Sequence, residues 1–136
     1  MFEISEAARV TAGIVFLAAI TVTSGGWFLT RVAGGIGETT DFQKSFFRAG
    51  HGHAGTLIIL GLLCLLFTEA TELSGLWQWL SRTGVLVAAI LMPAGFFLSA
   101  LGPGRTTPNR FVALLWAGTA FLVAGLTACG VGLLLG

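Results

Sequence analysis

Charge is what this chain has least of. Only 10% of its 136 residues are Asp, Glu, Lys or Arg, against 55% hydrophobic and a mean hydropathy of +0.92. A soluble domain needs a charged shell to stay dispersed, and these residues do not supply one. A bilayer removes that requirement, because lipid solvates apolar side chains. The chain therefore reads as an integral membrane protein with a single domain. A net charge of +1 leaves no basic field, which excludes a nucleic-acid partner.

Cysteine is also scarce. Cys64 and Cys129 stand alone in apolar runs without CxxC spacing, which excludes a secreted disulfide framework and a zinc knuckle. The start, "MFEISEAARV", has acidic residues ahead of its apolar stretch and lacks the basic opening of a cleavable signal peptide, so the first span is expected to be retained. Away from their ends the apolar runs contain no ionisable residue of the kind that pumps, secondary transporters and voltage sensors keep near the midplane. Thr21, Thr23, Ser24, Thr56, Ser99 and Thr119 can bond back to their own helix and require no polar channel. No nucleophile–base pair can be assembled: His51 and Cys64 lie roughly 20 Å apart along one helix. The expectation leans away from an enzyme.

What is present in quantity is long apolar runs. A helix needs roughly 20 mostly apolar residues to cross a hydrocarbon core of about 30 Å. Four stretches qualify, 10–32, 46–67, 84–101 and 111–135. Backbone groups cannot go unpaired in lipid, so these are helices, and no barrel-like alternation competes. The links "GGIGETTDFQKS", "TEATELSGLWQWLSR" and "GPGRTTPN" are short, which predicts an all-α, up-down four-helix bundle. Arg31, Lys44, Arg48, Arg105 and Arg110 flank the first and third links, whereas Arg9 and Arg82 lie on the other side. The positive-inside rule then places both termini outside and the first and third links in the cytoplasm; the membrane is expected to be a bacterial inner membrane.

Several features bear on packing. Small residues recur every fourth position in span four (Ala120, Ala124, Ala128, Gly132 and Gly136), a stripe suited to packing within the chain or to a homo-oligomer. Pro93 and Gly95 in "LMPAGFF" predict a kink in span three. Trp77 and Trp79 read as interfacial anchors, and Glu69 and Glu72 as solvated residues. "HAGTLIILGLLC" in span two resembles "WAGTAFLVAGLTAC" in span four, as a duplicated hairpin would produce. Cys64 and Cys129 lie equally far past the starts of their spans. They reach a similar depth, roughly 27 Å, and face each other if those spans are neighbours; ordinary buried thiols are the alternative.

The candidate site is "FFRAGHGHAG", which holds the only two histidines, His51 and His53. At about 100° per residue they point about 200° apart on a regular helix and cannot share one ion. Gly50, Gly52 and Gly55 allow the segment to unwind, which would let both rings chelate. Otherwise one ring faces the bundle and the other a neighbour, or both sit unligated in the headgroup layer. Glu38 and Asp41 are candidates to complete a transition-metal site, although Asp41, like Thr40, also suits a helix cap. Arg48 suits an anionic group such as a haem propionate or a lipid phosphate, and Lys44 and Arg48 also suit anionic headgroups. Trp27 and Trp116 are expected near this end, where aromatic walls would serve a haem or simply form the interfacial belt.

The segment resembles one in small uncharacterised bacterial four-span membrane proteins, in which R-A-G-H-x-H-A-G opens the second helix. That resemblance covers about 20 residues and implies the four-span fold. A looser likeness is to the membrane glutathione-transferase-like family, with four spans and arginine and histidine at the start of helix two; it would imply thiol transfer. The acidic and asparagine positions of that family are apolar here, in "HAGTLIIL". Three functional expectations follow: a small redox or binding subunit holding a metal or haem through His51, His53 or both; an accessory subunit of a larger membrane complex; and a glutathione-transferase-like enzyme.

Overall fold

The computed structural model describes residues 3–35 and 37–135. Four helices follow one another: α1 (Glu6–Ala33), α2 (Asp41–Thr68), α3 (Gly75–Ser99) and α4 (Ala113–Leu135), the last entered through a short 3-10 turn at Arg110–Val112. Each is long and apolar enough to cross a membrane, so the protein is a four-helix integral membrane protein. Gly136, the last member of the small-residue stripe, lies outside the described residues.

Two helices begin well before their apolar runs. α2 starts at Asp41 because Thr40 caps it: the Thr40 hydroxyl accepts from the Gln43 backbone N–H, and the Gln43 side chain accepts from that of Thr40. α3 starts at Gly75 rather than at position 84. Gln78, Ser81 and Arg82 interrupt the hydropathy there but not the helix, which continues into the polar layer where such residues find partners. α3 also runs through Pro93 as one helix. Gly95, two residues on, serves close approach: a Cβ there would lie 2.8 Å from the backbone nitrogen of Leu115.

The order of packing is linear. α3 lies between α2 and α4 and packs along both, whereas α1 packs chiefly on α2. The main core joins Leu57 and Cys64 of α2, Val85, Ala88 and Met92 of α3, and Cys129 of α4. In lipid no hydrophobic force draws helices together, so close backbone approach matters most. The seam between α3 and α4 is built on glycines. A Cβ on Gly84 would meet the Gly125 Cα at 2.9 Å, Gly118 is closed over by Met92, and beyond the seam Gly132 is closed over by Leu73 of the α2–α3 link.

The expected four-residue stripe packs within the chain at Ala128 and Gly132 but not at Ala120. Ala120 is exposed, and the buried small residues of α4 are Gly118, Gly125, Ala128 and Gly132. A four-residue step drifts about 40° around a helix, whereas a seven-residue step drifts only about 20° and keeps one face. Gly118, Gly125 and Gly132 follow the second rule.

At the histidine end, Gln43 does more than cap. Its buried amide donates to the carbonyl of Ala100 at 2.9 Å and to that of Gly102 at 2.8 Å, tying the start of α2 to the end of α3. Asn109 closes the same corner: its amide donates to the Leu98 carbonyl at 2.9 Å, and its oxygen accepts from the Phe111 N–H at 2.8 Å. Gln43→Ala is expected to lower unfolding free energy by about 2 kcal/mol, because it strands the buried Ala100 carbonyl and frees that of Gly102. Thermal unfolding in detergent checks this, with Asn109→Ala as the parallel variant.

At the opposite end the expectation of a solvated Glu69 is overturned. Its side chain is 5% exposed and pairs with the Arg82 guanidinium of α3. It also accepts the Ser5 backbone N–H at 2.8 Å, which brings in the start of α1. Beneath it the Thr68 and Ser81 hydroxyls bond at 2.6 Å. The reason is geometric: α3 begins early enough to set Arg82 beside the end of α2.

Candidate functional site

The glycines around the histidines do not unwind the chain. α2 is a regular helix through Gly50, Gly52 and Gly55, and the two rings leave it on different sides. His53 turns toward α3, where its ring packs on Phe96 with centroids 4.9 Å apart. Its Nδ1 lies 2.8 Å from the Ala49 carbonyl oxygen. A carbonyl only accepts, so Nδ1 carries the proton and donates. His51 turns toward α1. A Cβ added to Gly25 would lie 3.1 Å from its Nδ1, and one on Gly26 would lie 3.6 Å from its Nε2. The pair Gly25–Gly26 is thus the bed that admits an imidazole between two helices.

His51 borders two lipid-side cavities. One, of about 390 Å³, lies between the helices and is lined by Ala19, Val22, Thr23, Gly26 and Ile58 among others. The second, of about 530 Å³, runs along α2 past Gly52, Gly55, Thr56 and Leu63. A third, of about 380 Å³, opens at the mouth of the same α1–α2 seam between Leu29, Thr30, Val32 and Ala33 of α1 and Lys44 and Arg48 of α2. These volumes fall in the range of small-ligand sites, about 300–1,000 Å³.

Lys44, Arg48 and His51 follow the spacing that keeps residues on one helix face. The face thus carries two cations near the helix start and an imidazole further in. Arg48 Nε donates to the Lys44 carbonyl at 3.3 Å, and Lys44 meets the exposed Asp41 carboxylate only at 3.9 Å. An exposed pair of that length is worth little and leaves the lysine free to swing.

Of the other expected site residues only Asp41 adjoins this face, at its outer end beside Lys44. Asp41 and Glu38 are exposed, with Glu38 in the first link beside Pro103 and Gly104. Among the described residues no group of three His, Cys, Asp or Glu side chains comes together to hold a metal ion. Trp116 is 73% exposed, and Trp27 faces outward beneath the Arg31 guanidinium at 4.6 Å. The aromatic walls at this end are phenylalanines. Phe47 stacks on Phe97 at 5.6 Å and meets Phe28 edge-on at 5.4 Å, while Phe46 joins Phe96 at 5.4 Å. This cluster supports His53 and the α2–α3 contact and leaves His51 open.

Sequence reasoning missed Gly25 and Gly26. The signal was present as the only adjacent glycines inside span one, at the height where span two carries its histidines. Comparison with known protein families, with curated proteins and with solved structures found no match, and the site stands on its own geometry.

Proposed function

We propose that the protein is a small membrane binding subunit that holds a haem-type cofactor through one histidine, His51, in the α1–α2 groove. The observation that carries this reading is a half-buried imidazole bordering two open grooves, with Arg48 and Lys44 on its own face. At 1.5 Å rise per residue, Arg48 lies about 4.5 Å and Lys44 about 10 Å nearer the helix start. A haem bound to His51 would present its propionates to these cations, and its apolar edge would lie on Val22, Ile58 and Ile59. The diverging rings favour this single-imidazole ligation over chelation of one ion by both histidines. The arginine and lysine bias supports an orientation with both termini outside.

A second reading, an accessory subunit of a larger membrane complex, is favoured by α1, which packs chiefly on α2 and turns Ile14, Phe16, Leu17 and Ile20 outward. Purification in mild detergent from haem-replete cells separates the two. The haem reading expects a Soret band that His51→Ala reduces more than about tenfold and that His53→Ala leaves in place. Colourless wild-type protein, or equal haem content in His51→Ala, sinks it. Colourless protein that co-migrates with a defined complex supports the accessory reading.

A further inference from the structure

The α1–α2 seam carries its charge at one end and is apolar along the rest of its length. Its mouth opens between the last turn of α1 and Lys44 and Arg48 of α2. Deeper in, the groove passes His51 and Gly55 and reaches Ile59 and then Leu63. Ala19 and Gly26 of α1 and Gly52 and Gly55 of α2 keep its walls free of bulk. From Arg48 to Ile59 the rise along α2 is about 16 Å. One leaflet's share of a hydrocarbon core of about 30 Å is nearly the same length.

The charge at the mouth is unbalanced. Arg48 is exposed, and among the described residues no acidic side chain pairs with it. Lys44 meets only the exposed Asp41 carboxylate, at 3.9 Å, a contact that water screens. The helix ends do not alter this sum. The negative end of α1 and the positive end of α2 lie together here, each worth about half a charge, and they offset one another. An occupant of the groove must therefore be anionic at its head and apolar for about 16 Å below it. A free phosphate meets the first requirement alone. A phospholipid of the surrounding bilayer meets both.

We propose that the α1–α2 groove holds one anionic phospholipid, with its phosphate between Lys44 and Arg48 and one acyl chain lying along the groove toward Ile59. The site depends on the two cations and the groove and not on the imidazole, so it does not rest on the haem reading. A haem seated on His51 would take the same cations, and the two ligands exclude each other.

The test is native mass spectrometry of the full-length protein in detergent, titrated with phosphatidylglycerol, phosphatidylcholine or inorganic phosphate. The expected result is one phosphatidylglycerol per chain, held roughly thirtyfold more tightly than phosphatidylcholine, because each lysine or arginine near a membrane surface contributes about fivefold. Lys44→Gln and Arg48→Gln should each lower that preference about fivefold, and together they should abolish it. At Gly55 a Cβ meets nothing within 4 Å among the described residues, so leucine can fill the groove. Gly55→Leu should weaken both lipids more than about fivefold and leave their ratio unchanged. Circular dichroism checks that each variant stays helical. Equal affinity for the two lipids, a preference that survives the double substitution, or unaltered binding in Gly55→Leu overturns the proposal. Displacement by inorganic phosphate at the lipid's own concentration assigns the site to a free anion and overturns it too. His51→Ala removes the haem ligand and should keep the preference for phosphatidylglycerol, so the haem reading and this one fail separately.

Discussion

Replacing Gly125 by alanine is expected to lower the unfolding free energy by about 2 kcal/mol or more, whereas the same change at Gly130 should raise it by up to about 1 kcal/mol. Both residues lie in α4, five positions apart in a helix of nearly uniform hydropathy. The sign differs because of what a methyl group would meet. At Gly125 it would lie 2.9 Å from the Val85 backbone nitrogen and 3.1 Å from the Gly84 carbonyl carbon. Backbone cannot rotate out of the way, so α3 and α4 must separate, and every contact of that seam lengthens with them. At Gly130 nothing among the described residues lies within 4 Å, and alanine only reduces the freedom of the unfolded chain. Gly61→Ala makes a useful intermediate. The nearest obstacle there is the Leu86 side chain, whose rotation relieves the clash at lower cost. Denaturation in mixed micelles, followed by circular dichroism, should rank the losses Gly125, then Gly61, then Gly130. A ranking with Gly130 at the top would refute glycine-mediated contact between α3 and α4.

That contrast shows how far the sequence could be read. The four helices were legible because bilayer thickness sets a minimum apolar length, and runs such as 10–32 and 111–135 meet it. Which face each helix buries was not. In water the apolar stripe marks the buried side, but here lipid-facing leucines such as Leu134 and core leucines such as Leu65 are chemically alike. Only the small residues carry the information, and they do so by spacing. A spacing of four joins the exposed Ala120 to the buried Ala128 and Gly132, whereas a spacing of seven selects the glycines of the seam. The early start of α3 was hidden for a related reason. Hydropathy reports where lipid begins, while the helix continues beyond it wherever Ser81 and Arg82 find partners.

The histidine segment divides in the same way. Divergence of His51 and His53 follows from the helical period alone, and the structure keeps that period. What each ring meets depends on residues far away in sequence, Gly25 and Gly26 for one and Phe96 for the other. Trp27 and Trp116 were placed at the correct end by topology, yet their direction around the helix is set by the packing order. α1 lies at the edge of the array and α4 at its other edge, and both tryptophans point out of it. Asp41 is the clearest local case: the capping chemistry of Thr40 and Gln43 fixes it in the first turn, where it turns to water and not to His51.

The second large effect lies at the far end, where Glu69→Gln is expected to destabilise the bundle by about 3 kcal/mol. The glutamate joins three helices at once, through Ser5 of the α1 cap, Arg82 of α3 and its own position at the end of α2. Without the carboxylate, Arg82 keeps a charge in a site where its side chain is only 20% exposed and its Nε already has no partner among the described residues. The acid form of Glu69 should do the same damage without mutation. Burial favours the neutral acid, but hydrogen bonds from Ser5 and the charge of Arg82 outweigh it and hold the carboxyl below its ordinary value of 4.5. A lowered folded-state value means that the stabilisation is complete above pH 4.5 and is lost as pH falls through the folded value beneath it. Wild-type stability should therefore fall steeply below pH 4.5, and Glu69→Gln should flatten that limb while lying lower at neutral pH. Removing both charges tests the explanation further. Glu69→Leu combined with Arg82→Met abolishes the pair without stranding either member, and it should be more stable than Glu69→Gln or Arg82→Ala alone. If the double variant instead loses as much as the two single changes summed, the residues act independently and the ion pair is not what holds that end of the bundle together.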